Sequence, residues 1–454
     1  MATLALANWS MNLTYTSLPS EVRTAAVRSF YNWAGCTVGG SAHPATSIAR
    51  KALARFSGPA TSRLLGSEGG VDVDAMHAAL FNGIASHVHD YDDTHLDTII
   101  HPTGPVASAL LAMSESLDRP VTGEEFITAL VAGVEAECKV GLAVWPSHYD
   151  VGWHITSSTG SIGAAVAVSK LLGLNATQTA HAIGLAATQV TGLREMFGSH
   201  TKSFHPGRAA QNGLLAAILA EEDYTSSAQA LEAKRGWANV VSSSQELDAQ
   251  IGSLAPEGRW EIVQNAFKPF PCGIVVHPVI DGCIMLHEEL ERAGLSVDQI
   301  VEVQAEVHPL VLELTGKTAP KDGLEGKFSV YHGGAIGLLF GKATPAQYED
   351  EVVTDSRVVG ARNRIKANVN KDLKADECHL TAFLRNESGE NVTIQKHVSH
   401  AVGSLERPMT DAQLVQKFVD QCIPVLGQER AEKASQWCWD LEKQGDVRLI
   451  KAVL

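Results

Sequence analysis

The stretch FITALVAGVEAECKVGLAV, residues 126–144, follows Gly123-Glu124-Glu125 and reads as one long helix. Acid in its first turn complements the helix dipole. Gly and Ala recur through it at short intervals, which lets neighbouring backbones pack closely. The same small-residue style appears on both sides of it, at 104–117, 159–172, 177–189 and 208–221. Upstream, Ser20-Glu21-Val22-Arg23 opens a helix with Ser20 as N-cap, and apolar residues recur through Ala25, Val27, Phe30 and Trp33. No strand-rich block interrupts the chain before about residue 250. After Trp260 the period changes. IVEVQAEV at 300–307, Ile365–Val369 and CHLTAFL at 378–384 alternate apolar and polar, as half-buried strands do. Asn386 to Asn391 then turns the last of these into VTIQKHV, a hairpin. Helical segments at 277–293 and 331–340 lie between, and 411–443 returns to amphipathic helix. The expected fold is mainly α with an α+β second domain. Residues 1–265, completed by 408–454, form the helical domain, and 266–407 the smaller one.

Composition narrows the function. The 454 residues carry 36 Lys and Arg against 51 Asp and Glu, a formal charge of −15, with no dense basic run. That argues against nucleic acid, whose affinity rests on cations neutralising phosphates. Charged residues make up 19%, below the roughly 25% of average domains. Such a composition suits closely packed helices and a sizeable buried interface. No stretch is apolar enough for a membrane span. MATLALANWS lacks a basic leader, Lys451–Leu454 is not a peroxisomal tripeptide, and seven dispersed cysteines show no CxxC spacing. The expectation is a cytoplasmic protein with reduced thiols. No G-x-G-x-x-G follows a strand and no Walker lysine motif occurs, so nucleotide folds have no support.

The densest polar cluster is His87-Val88-His89-Asp90-Tyr91-Asp92-Asp93-Thr94-His95, followed by His101-Pro102. Three carboxylates within four residues push one pKa upward unless a cation or a shared proton intervenes. His87, His89, Asp90 and Asp93 are N/O donors that a divalent ion would accept. No second strong ligand group follows downstream, and the reading assigns no metal and no cofactor. His154 precedes the small-residue helix from Thr159, where a helix N-terminus keeps imidazole neutral for use as a base or donor. GSHTKSFHPGR, residues 198–208, is a basic island in an acidic chain, with Lys202 and Arg208 as clamps for a polycarboxylate or phosphate. KPFPCG at 268–273 reads as hinge and lining, and Cys272, with no paired base, as an inert thiol. Tyr331, in KFSVYHGG, is a residue type that donates a proton or binds a carboxylate.

The segments DYDDTHLDTIIHP (90–102), GWHITSSTGSIGAA (152–165), TKSFHPGRAAQNGLLAA (201–217), KPFPCG (268–273) and FSVYH (328–332) together resemble the MmgE/PrpD family, over about residues 5–440. That family includes 2-methylcitrate dehydratases, cis-aconitate decarboxylases and iminodisuccinate epimerases. The resemblance implies a helical domain with a smaller α+β lid, a homodimer, and an active site between domains without metal or organic cofactor. It implies a site of Asp90, Thr94, His101, His154, Lys202 and Tyr331. In that site His101 moves the proton and Asp90 fixes its tautomer. Lys202 with His154 and Arg208 holds carboxylates, while Thr94 and Tyr331 hydrogen-bond substrate oxygens. The acidic loop has Asp92 and His95 where the dehydratases carry Asn and Trp, closer to the decarboxylase and epimerase pattern. The expected activity is a lyase working by proton transfer next to a carboxylate, dehydrating a 2-methylcitrate-type or alkylcitrate-type tricarboxylate. Decarboxylation of cis-aconitate and epimerisation of an amino-linked dicarboxylate are the near alternatives. A metal-dependent hydrolase and a non-catalytic binding protein are the distant ones.

Overall fold

The computed structural model describes residues 1–256 and 258–454, and its chain is mainly helical. Helix Gly123–Val144 starts at a reciprocal cap: Thr122 Oγ1 accepts from the Glu125 amide at 3.2 Å, and the Glu125 carboxylate accepts from the Thr122 amide at 2.9 Å. It packs on helix Ile155–Leu172, and at Gly133 a Cβ would come within 2.7 Å of the Gly163 carbonyl. Helix His200–Glu221 crosses helix Ala75–His87 just as tightly. A Cβ on Gly207 would lie 2.4 Å from the Leu80 carbonyl. The small residues of the sequence are thus spent on backbone contact. The chain end returns to this domain as two helices, Asp411–Leu426 and Gln428–Trp439, parted at Gly427, whose φ of 77° favours glycine. Phe418 stacks on Tyr31 with ring centroids 4.6 Å apart.

The smaller domain is built on a four-stranded sheet in the order Ile365–Val369, Ile300–Val307, Cys378–Arg385, Asn391–Val398. The first pair is parallel and the others antiparallel. Cys378, Leu380, Ala382 and Leu384 point to the core, whereas His379, Phe383 and Arg385 are exposed. This is the alternation the sequence shows. Helices His277–Ala293 and Val330–Phe340 pack in the same apolar cluster. That cluster runs from Phe270 to Val398, and a separate larger one takes in Ala2 to Phe267 and Met409 to Leu454. Apolar packing changes from the larger cluster to the smaller between Phe267 and Phe270, and back between Val398 and Met409. Among the described residues, no helix is long and apolar enough to cross a membrane.

Three local features differ from the sequence reading. The helix expected from Arg208 begins at His200, with Pro206 inside it, so nearly all of the basic island is helical. Ser20 is the first helical residue and Pro19 holds the cap position. A strand of three residues, Asp93–His95, lies inside the acidic loop and pairs antiparallel with Asn265–Phe267, Thr94 opposite Ala266. Three residues are too few to show a period. This pairing fastens the acidic loop to the segment where the chain passes into the smaller domain, and it sets the site.

Candidate active site

A cavity of about 40 Å³ lies between the two domains. One side is ionic, formed by Asp90, His101, His154, Lys202 and Lys268; Ile99, Tyr149, Phe197, Ile274, Leu314 and Phe328 form an apolar wall. Of three non-glycine residues with positive φ among those described, two line it: Asp90 at 51° and Ile99 at 60°. A β-branched residue such as Ile99 avoids that region unless its surroundings impose it, and such strain gathers at functional sites.

Asp90 Oδ1 accepts from Lys268 Nζ at 2.5 Å and lies 2.9 Å from Lys202 Nζ. Lys202 also donates to His87 Nε2 at 3.0 Å, and His87 Nδ1 donates to Asp92 Oδ2 at 2.6 Å. His101 Nδ1 donates to the Asp93 carbonyl at 2.6 Å, with Thr94 Oγ1 at 3.3 Å and Asp92 Oδ1 at 3.5 Å. A carbonyl can only accept, so Nδ1 carries the proton and Nε2 keeps its lone pair. Among the described residues that Nε2 has no partner. His154 shares a hydrogen bond with His205, Nδ1 to Nδ1, at 2.9 Å.

Burial sets most of the protonation states. It pushes His101 down to about 3, aided by Lys268, while Asp92 works against it. Burial also lowers His154, with His205 and Lys202 adding to the effect, and lowers His87 and Lys202. For Asp90, burial alone would raise the carboxyl; the two ammonium groups overcome it and hold the group well below the usual carboxylate range. Asp93 is the carboxyl driven upward, to about 6, by burial and then by Asp92. Its Oδ2 accepts from the Thr103 amide at 3.2 Å and from Asn265 Nδ2 at 2.6 Å, away from the cavity. Four buried lysines surround this loop. Beyond Lys202 and Lys268, Lys327 Nζ donates to the His89 carbonyl at 3.0 Å, and Lys417 Nζ to the Tyr91 carbonyl at 2.5 Å. Burial lowers both to about 8, so they stay largely charged at neutral pH. An acidic protein therefore presents an inner excess of positive charge, fit for a polyanion.

The structure brings Asp90, His101, His154 and Lys202 together, drawn from three separate segments. Four expectations need correction. Asp90 does not orient His101; the Asp93 carbonyl and Asp92 do. Thr94 is fully buried beside His101 and supports it without lining the cavity. Arg208 points elsewhere and pairs with Gln211. In a helix a residue six positions after Lys202 is turned about 240° from it, whereas His205, three positions on, shares its face. Tyr331 packs against the smaller domain's apolar cluster and is not among the lining residues. The metal set read from sequence also fails to converge, because His89 bonds to the Gly39 carbonyl and Asp93 to Thr103. His87, Asp90, Asp92 and His101 do cluster within 4.8 Å, yet Lys202 and Lys268 already place two cations among them. Sequence reasoning missed Lys268, whose KPFPCG setting signalled only a hinge, along with Lys327 and Lys417. Cys272 is buried and its thiol is pushed up to about 12, in keeping with an inert group.

Comparison with known proteins places the chain among relatives over its whole length. The MmgE/PrpD N-terminal domain matches residues 4–250 and the MmgE/PrpD C-terminal domain residues 270–441. The chain is 24% identical to a cis-aconitate decarboxylase of Aspergillus terreus, over 100% of this chain and 95% of that protein. It is 26% identical to the human cis-aconitate decarboxylase, over 83% of this chain and 79% of that one. A 2-methylcitrate dehydratase of Salmonella typhimurium is 24% identical over 64% of this chain and 62% of its own length. Matched across both domains, the chain belongs to the MmgE/PrpD family.

Proposed function

We propose that the protein is a lyase that dehydrates a tricarboxylate of the 2-methylcitrate or alkylcitrate type by proton transfer next to a carboxylate. The observation that carries this reading is the two-sided cavity. Its ionic side suits the carboxylates, and its apolar wall suits an alkyl arm, which a plain tricarboxylate lacks. His101 Nε2, neutral and unpartnered, removes the proton from the carbon beside a carboxylate. Lys268 and Lys202 hold that carboxylate and stabilise the charge that develops on it. Lys202, whose acidity burial increases, protonates the departing hydroxyl, so that water leaves and an alkene remains. Asp92 and the Asp93 carbonyl keep His101 in the required tautomer, and His154 with His205 completes the polar rim.

Full-length similarity to cis-aconitate decarboxylases favours a second reading, in which the same residues protonate the carbanion left by loss of CO2. Lys202 would be the donor in that case too, and the apolar wall, suited to an alkyl arm, supports placing dehydration first. The seven free cysteines are all buried thiols, in keeping with a reducing, cytoplasmic compartment, and we propose a homodimer as the working form. Light scattering on the purified protein checks the latter. The cavity holds roughly three water-sized positions, so a tricarboxylate enters only when the domains part; any contact of Tyr331 with substrate also waits on that motion. The test is turnover of citrate, 2-methylcitrate, a longer 2-alkylcitrate and cis-aconitate in parallel. Alkene formation fastest with the alkylated citrates supports the reading. Itaconate from cis-aconitate, with citrates inert, replaces it by decarboxylation.

A further inference from the structure

Away from the cavity, the exposed face of the smaller domain's sheet carries a second group of chemistry-bearing side chains. The antiparallel register sets His379 directly opposite His397, and their ring centroids lie 4.3 Å apart. Glu377, immediately before strand Cys378–Arg385, reaches both rings. Its Oε1 lies 3.0 Å from His397 Nε2 and 3.6 Å from His379 Nε2. One ligand atom from each residue falls within 4.8 Å of the others. On the other flank of His379 the register places Glu306, also exposed.

We propose that Glu377, His379 and His397 form a binding site for a divalent transition ion of the Zn2+ or Cu2+ class. Around such an ion, ligands at about 2.0–2.1 Å stand roughly 3.3 Å apart in a tetrahedron. The observed 3.0 and 3.6 Å bracket that separation, so small side-chain adjustments complete the set. Two imidazoles with one carboxylate select borderline N/O-seeking ions over Mg2+ and Ca2+, which demand oxygen. Glu306 adds attraction for a dication without joining the three, and open solvent supplies the remaining positions. A bound ion joins the start of strand Cys378–Arg385 to the end of strand Asn391–Val398, clamping the two ends of the hairpin. None of these residues lines the cavity, so the site is independent of the lyase reading.

The test uses tag-free, full-length protein titrated with Zn2+ by calorimetry and with Cu2+ by electron paramagnetic resonance. It compares wild type, the double variant His379→Asn with His397→Asn, and His400→Asn. The last disables a neighbouring trio in which His400 Nδ1 lies 2.7 Å from Asp376 Oδ2 and 3.8 Å from Glu406 Oε2. Wild type is expected to bind one equivalent more than the double variant, with hyperfine coupling to two nitrogens and a Zn2+-dependent rise in melting temperature. His400→Asn is expected to keep all three signals, and Glu377→Gln to weaken binding while the metal-free melt stays unchanged. Equal metal uptake by wild type and the double variant, or loss of binding in His400→Asn alone, overturns the proposal.

Discussion

At His101 the Asp93 carbonyl holds the Nδ1 proton while burial and nearby ammonium groups keep the ring neutral, so Nε2 remains a base far below the ordinary imidazole value of 6.5. The sign of the pH dependence follows. A histidine whose folded pKa is lowered protonates only near its depressed value, so kcat/KM should show no acid limb centred near pH 6.5. A pH–rate profile checks this, since kcat/KM reports the free enzyme's groups. His101→Asn, which cannot take a proton, should lower kcat by at least about 10²-fold with the far-ultraviolet circular dichroism unchanged. Asp90 has a different duty, to balance two buried lysines. Asp90→Asn leaves those charges facing each other and should cost about 3–5 kcal/mol in denaturant unfolding, as breaking a buried pair does. His101, His154 and Lys202 were legible because each stands in a polar island between apolar helices. Lys268 was not, because proline-rich flanks look alike whether the lysine beside them is a surface residue or a buried ligand. Nor could the tautomer of His101 be read, since a backbone carbonyl fixes it.

Between elements, Lys202 and His205 reach the site only because helix His200–Glu221 sits close against helix Ala75–His87. Gly83 and Gly207 meet at that crossing, where a Cβ on Gly207 would strike the Leu80 carbonyl. Gly207→Ala should therefore destabilise the protein by about 1–3 kcal/mol, as overpacking does. It should also reduce turnover, because the helix that yields carries Lys202. Thermal melting and kcat measured on the same sample check both. The helices and the strands of the four-stranded sheet followed from their periods of 3.6 and 2. The helix was expected only from Arg208 because His, Ser and Pro are poor helix markers, and Pro206 hid an earlier start at His200 that packing against glycines stabilises. Arg208 was misplaced for the same reason: its direction relative to Lys202 is set only once both stand on one helix, where it turns away.

For the whole molecule, burial has costs that depend on pH. Glu115, at the end of helix Thr103–Ser116, is buried and its carboxyl is raised to about 8, chiefly by desolvation, although the Arg63 amide donates to it at 2.8 Å. A folded pKa raised above the unfolded value near 4.5 means stability is fullest below that value and is lost as pH climbs through about 8. Glu115→Gln keeps the acceptor and removes the titration. Its unfolding free energy, from denaturant melts, should gain on wild type as pH rises from 5 to 9, by on the order of a few kcal/mol at the top of that range. The two-domain layout was legible from the change of period after Trp260. The cavity's apolar wall was not, because its residues come from six separated segments that only the docking of the domains brings together. The most direct measurement is proton nuclear magnetic resonance of wild type and His101→Asn with a 2-alkylcitrate in deuterated water. A new alkene signal with wild type, absent with the variant, is the predicted result. Alkene formation by both proteins at the same rate, or unchanged substrate with wild type while cis-aconitate is consumed, would contradict it.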